Sequence, residues 1–170
     1  MSSRLSLAFY ACLLAMLAIF MSPTQAATFK PYQIKAVYIF RIANFIRWED
    51  ESERQSLRFC VEGSSKVKGA LASIIKGKTI RTLSLELLEN SQPNTCDIIY
   101  LSGIKYKQAD IYGEHSVTIS DYKGFARKGG IIELQSNNSK IRPRINLNNA
   151  NLDDYTIGSN LLRIAIMEDK

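Results

Sequence analysis

The sequence predicts an α/β fold: a single three-layer domain with a mostly parallel sheet and an antiparallel edge hairpin, following a separate N-terminal segment. Three observations carry this. From Leu57 to Ser120, short apolar runs of strand type alternate with stretches of helix type, the pattern of βαβ units. Two further runs then follow one another around Asn137-Asn138, which reads as a hairpin. After residue 26 no repeat, low-complexity tract or Pro/Gly linker interrupts the chain, so one core is expected.

Residues 1–26 read as a secretory signal peptide. Arg4 gives a positive start, "LSLAFYACLLAMLAIFM" (Leu5–Met21) is uncharged and apolar, and Thr24 and Ala26 offer small residues for cleavage. A retained membrane anchor is the competing reading, but the run sits near the lower length limit for a span. Cys12 lies mid-run, not at its end where a lipidated cysteine belongs. Residues 27–170 then form the domain. Arg4 is the only charge removed, so the formal net charge falls from +6 to +5. This basic balance comes without an arginine-rich run or interleaved aromatics, which argues against nucleic acid and leaves an acidic partner, an anionic membrane surface or a solvated basic face.

"YQIKAVYIFRIANFIRW" (Tyr32–Trp48) follows Pro31, a residue suited to a first helical turn, and reads as one long helix. Arg41, Asn44 and Arg47 leave it only a narrow wet stripe. Tyr38, Phe40, Phe45 and Trp48 crowd the rest, so the helix is expected to bury more than one face, in the core or in an interface. "LRFCVEG" reads as a strand, "SSKVKGALASIIKGK" as a helix capped by Ser64 or Ser65, and "TIRTLSLELL" as a second strand. "CDIIYLSG" is a buried strand, a helix is placed across Lys105–His115, and "SVTISD" is the fourth strand. "YKGFARKGG" reads as a helical turn closed by glycine. In the hairpin "GIIELQSNNSKIRPRINL", Pro143 marks the second arm as an edge strand. "NANLDDYTIGSNLLRIAIM" reads as a closing helix, broken near Gly158.

Without Cys12, two cysteines remain. In an exported chain the pair Cys60 and Cys96 reads as one disulfide, against two unpaired buried thiols. A doubly wound order would set the first strand beside the third and bring these cysteines together.

In such sheets ligands gather beyond the carboxyl ends of the parallel strands. Gly63, Ser64, Ser65 and Lys66 fall there, at a helix start able to hold an anion on free N–H groups, or serving as a plain turn and cap. Asp121 falls there too, more readily an N-cap than a general base. His115 is the only histidine and precedes the fourth strand, at the far end. No GxSxG, HExxH, Walker loop, dinucleotide fingerprint or metal-ligand spacing occurs. Catalytic residues, metals and cofactors are therefore not expected.

The ordered set "KAVYIFRIANFIRW", "FCVEG", "CDIIYLSG", "TISDYKGFARKGGIIEL", "RINL" and "IGSNLLRIA", spanning Tyr32–Met167, resembles the YfiR-like family of exported bacterial proteins. The resemblance implies a periplasmic regulator that binds the sensor region of an inner-membrane diguanylate cyclase and represses it, lowering cyclic-di-GMP and biofilm formation. It also implies an α/β fold able to form a homodimer. Some relatives carry a second cysteine pair near the segment matching "GFARKGG", which this chain lacks. A periplasmic small-ligand or solute-binding protein is the alternative reading, using the crevice around Gly63–Lys66 and Asp121.

Overall fold

The structure, a computed structural model, describes residues 29–90, 92, 94–112, 115–137, 140–150 and 152–168. The expected signal peptide lies outside the described residues. Helix α1 (Pro31–Ala43) opens the fold, with Pro31 at its first turn, and is followed by β1 (Ile46–Trp48) and β2 (Ser56–Glu62). Then come α2 (Ser65–Ile75), β3 (Thr79–Ile80), β4 (Leu83–Leu87), β5 (Ile98–Leu101), a 3-10 turn and the short α3 (Ala109–Tyr112). Strands β6 (Val117–Ser120), β7 (Ile132–Asn137), β8 (Lys140–Ile145) and β9 (Tyr155–Ile157), helix α4 (Ser159–Ile164) and β10 (Ile166–Met167) complete it.

Among the described residues the main sheet has eight strands in the order β10-β8-β7-β6-β5-β2-β4-β3, and β1 pairs with β9 in a separate antiparallel ribbon. From β4 through β2, β5 and β6 to β7 every pairing is parallel. Both faces are covered, as a parallel sheet requires. Because side chains alternate along a strand, Leu57, Phe59 and Val61 point with Ile98, Tyr100, Val117 and Ile119 into one cluster beneath α1 and α2. Cys60, Ile99 and Leu101 point the other way, into a smaller cluster with Ala109, Tyr112 and Phe125. Strand β2 lies beside β5, and Cys60 and Cys96 form a disulfide with Cα atoms 5.8 Å apart. The expected neighbouring of the first and third strands is thus observed.

Five assignments are corrected. The first helix stops at Ala43, and Ile46–Trp48 is a strand, because Ile46, Arg47 and Trp48 find backbone partners in Ile157, Thr156 and Tyr155. The closing helix is consequently only α4, flanked by β9 and β10. "TIRTLSLELL" is not one strand but the tight hairpin β3–β4, turning at Arg81. Strand β8 is not the edge, since β10 adds beside Arg144 and Ile145; Pro143 sits opposite Leu134, just outside that short pairing. The Lys105–His115 helix is reduced to a 3-10 segment Gly103–Gln108 and the single turn α3. Asn137 ends β7 in register with Lys140, while Asn138 lies outside the described residues. The turn at Ala126–Lys128 does end at Gly129 in the left-handed region. Gly130 beside it leaves room for buried Phe125, whose ring lies 2.1 Å from where a Cβ would stand.

Candidate functional site

The carboxyl ends of β2, β5 and β6 lie side by side and bring the predicted ligand residues to one end of the sheet. Gly63 leaves β2 with φ +82°, and a Cβ on it would stand 2.3 Å from the Ser102 carbonyl oxygen. Only glycine serves there, on both backbone and steric grounds. Its neighbour Ser64 caps α2, its Oγ accepting from the Val67 N–H at 3.3 Å. Ser65 and Lys66 are exposed on the first turn of α2. The loop after β2 is therefore used by packing and capping, and only Ser65 and Lys66 face a hollow.

Asp121 is not an N-cap. The N–H of Tyr122 donates to Ser120 Oγ at 3.0 Å, so Ser120 takes the local capping role. Asp121 instead pairs with Lys35 of α1 and accepts from Ser102 Oγ at 3.5 Å. Burial first, and then the Asp121 charge, push the Tyr100 hydroxyl well above its ordinary range. A hollow of about 400 Å³ opens here, lined by Lys35, Asp121, Lys123 and the β7 stretch Glu133–Ser136. Ser65 and Lys66 line a different hollow, between α1 and α2. The two halves of the predicted crevice are thus joined through Ser102 but open in separate directions.

Two arrangements escaped the sequence reading. Tyr106 and Tyr122 stack at 3.7 Å between ring centroids, with Lys128 Nζ 5.5 and 5.1 Å from the two rings. The Tyr106 hydroxyl, and then the Lys128 ammonium, hold the Tyr122 hydroxyl below its ordinary value. Tyr106 comes from the β5–β6 connection and Tyr122 and Lys128 from the β6–β7 connection, so no local spacing rule joins all three. At the opposite end of the sheet, Asp97 is 2% exposed and accepts from Arg58 N at 2.7 Å, Arg58 Nε at 3.1 Å and Arg54 Nη1 at 2.5 Å. Arg54 also lies 5.6 Å from the Trp48 ring centroid. His115 lines the same hollow of about 380 Å³, its Nδ1 3.6 Å from Asp154 Oδ2, so it stands far from the strand carboxyl ends.

The four aromatic residues of the first segment are divided. Trp48 is buried and packs at a tilt on Tyr155, 6.4 Å away. Tyr38, Phe40 and Phe45 are half-buried, Tyr38 donating to the Ile141 carbonyl at 2.8 Å and Phe40 lying under Lys78 Nζ at 5.1 Å. Among the described residues, no group of three or more His, Cys, Asp or Glu is arranged to hold a metal ion, and no helix is long and apolar enough to cross a membrane.

The family model described as YfiR/HmsC-like matches residues 32–166. The chain belongs to the YfiR/HmsC-like family. This family is known for periplasmic regulators of diguanylate cyclases. No curated protein matches the chain. Among solved structures it is similar to a conserved domain protein from Vibrio cholerae O1 biovar El Tor str. N16961, at 11% identity and a TM-score of 0.48, covering 82% of this chain. The chain spans 60% of that protein's length.

Proposed function

We propose that this chain is exported to the periplasm, with Ala27 as its first mature residue, and acts there by binding and not by turnover. Its partner is the periplasmic sensor region of an inner-membrane signalling protein, a diguanylate cyclase, which it holds inactive. Membership of the YfiR/HmsC-like family over residues 32–166 carries this reading. The chemistry of the strand-end residues supports it. Asp121 is engaged by the ion pair with Lys35 and by the Ser102 hydroxyl, and no histidine stands with it in the hollow it lines. His115, the only histidine, stands at the other end of the sheet. Phe40 and Phe45, half-buried around the end of α1, are the docking residues we assign, with Trp48 supporting them from the core.

Deleting the gene in its host tests this. Cyclic-di-GMP, measured by mass spectrometry, and surface attachment should both rise. Complementation with Asp121→Asn or His115→Ala should restore repression, whereas Phe40→Glu should not, at matched levels of folded protein. Unchanged cyclic-di-GMP in the deletion strain would sink the proposal, and a His115→Ala phenotype equal to the deletion would overturn its non-catalytic part.

A further inference from the structure

We propose that the groove between α1 and α2 is a binding site for a small amphipathic anion, a molecule with an apolar body and a single carboxylate head. The proposal stands apart from the regulatory reading and does not need it.

The groove measures about 610 Å³, within the range of small-molecule sites. Tyr32 and Val37 of α1 and Ala70 and Ile74 of α2 supply its apolar wall, and Lys30 and Lys66 stand at one end. Lys35 near the start of α1 reaches Asp121 just beyond β6, at the end of the sheet where α2 begins, and Lys78 just after α2 lies over Phe40 near the end of α1, so the helices run side by side in one direction. Both N-termini, with their partial positive charge, then fall at the end where the two lysines stand.

Charge decides what fits. No Asp or Glu occurs from Ala27 to Trp48 or from Gly63 to Leu85, so neither helix has an acidic residue in its first turn to offset that charge. Among the described residues Lys30 and Lys66 have no carboxylate partner, and no carboxylate lines the groove. A negative head is therefore favoured at the lysine end and an apolar body along the wall beyond it.

Gly69 also lines the groove. It lies inside α2, where glycine disfavours the helix by about 1 kcal/mol relative to alanine. Close packing does not demand it, since a Cβ there would meet nothing within 4 Å. A larger side chain at this position would extend into open space beside the groove wall. Phe29, 65% exposed, stands beside the same opening.

The probe is decanoate, kept below its micelle-forming concentration and titrated into ¹⁵N-labelled protein in the form its host accumulates. Amide shifts should concentrate in residues 30–37 and 65–74. Lys30→Glu combined with Lys66→Glu should weaken binding at least tenfold. Gly69→Phe, or Ser73→Phe where the first variant folds poorly, should abolish it while the β5 and β6 amide spectrum stays native. Decyltrimethylammonium, with the same tail and opposite charge, should not compete. Shifts scattered over the whole chain, equal affinity for the cation, binding only to phosphatidylglycerol vesicles, or full binding in a folded groove-filled variant would each overturn the site.

Discussion

Arg81 occupies the left-handed region, φ 55°, at the turn between β3 and β4. This is an uncommon position for a residue with a Cβ. It holds because the side chain is heavily used: its guanidinium pairs with both oxygens of Glu51 and donates to the Ile46 carbonyl at 3.0 Å. Arg81→Gly and Arg81→Ala both remove that fork, but only glycine removes the backbone cost. The glycine variant should therefore be the more stable by about 1 kcal/mol in urea denaturation. Equal stability would show that the turn is unstrained. The same contact sets a pH dependence. Hydrogen bonding to Arg81, against the opposing effect of burial, holds the Glu51 carboxyl below its ordinary 4.5. A lowered folded pKa contributes stability that is present above 4.5 and lost as pH falls through the folded value. The loss of thermal midpoint in Arg81→Met should thus be largest near neutrality and shrink below about pH 4; a loss independent of pH would contradict the pairing.

At the scale of elements, the join between β2 and α2 depends on Gly63. Its carbonyl-facing side lies against Ser102 at the end of β5, and Ser102 N donates to the Glu62 carbonyl at 2.9 Å. Gly63→Ala adds a left-handed strain of about 1–2 kcal/mol and a contact that only backbone movement can relieve. Stability should fall by more than 2 kcal/mol, and amide shifts should extend to Ser102 and Asp121. A neutral substitution would mean that the two strand ends are free to part. The elements the sequence made legible are those with their own strong pattern. Ile98–Leu101 reads as a strand because it is apolar on both faces, Leu57–Val61 because only Arg58 interrupts a short apolar run, and α2 because Ser64 caps a periodic helix. Asp121 was placed at the right end of the sheet but given the wrong partner, since Lys35 lies 86 residues away.

For the molecule as a whole, the Cys60–Cys96 disulfide ties β2 to the start of β5 across a loop of sequence separation 36. In the chain-entropy model such a loop contributes roughly 3.5–4 kcal/mol. Cys60→Ala with Cys96→Ala should lower the denaturant-extrapolated stability by about that amount, and reductant should lower the thermal midpoint of the parent alone. An effect under about 1 kcal/mol would place the stability elsewhere. Cysteine parity and the alternation of strands and helices were enough to specify the layers, the parallel core and this bridge, because those features rest on long apolar runs and local periodicity. The three-residue strands β1 and β9 are different. Nothing in Ile46–Trp48 or Tyr155–Ile157 distinguishes a strand from an extension of the adjacent helix; they become strands because Ile46 meets Ile157 and Trp48 meets Tyr155. Tertiary structure alone decided them, as it decided the Arg81 fork, the Lys35–Asp121 pair and the open groove over Gly69, since a backbone or charge partner supplied from a distant part of the chain leaves no mark on local sequence.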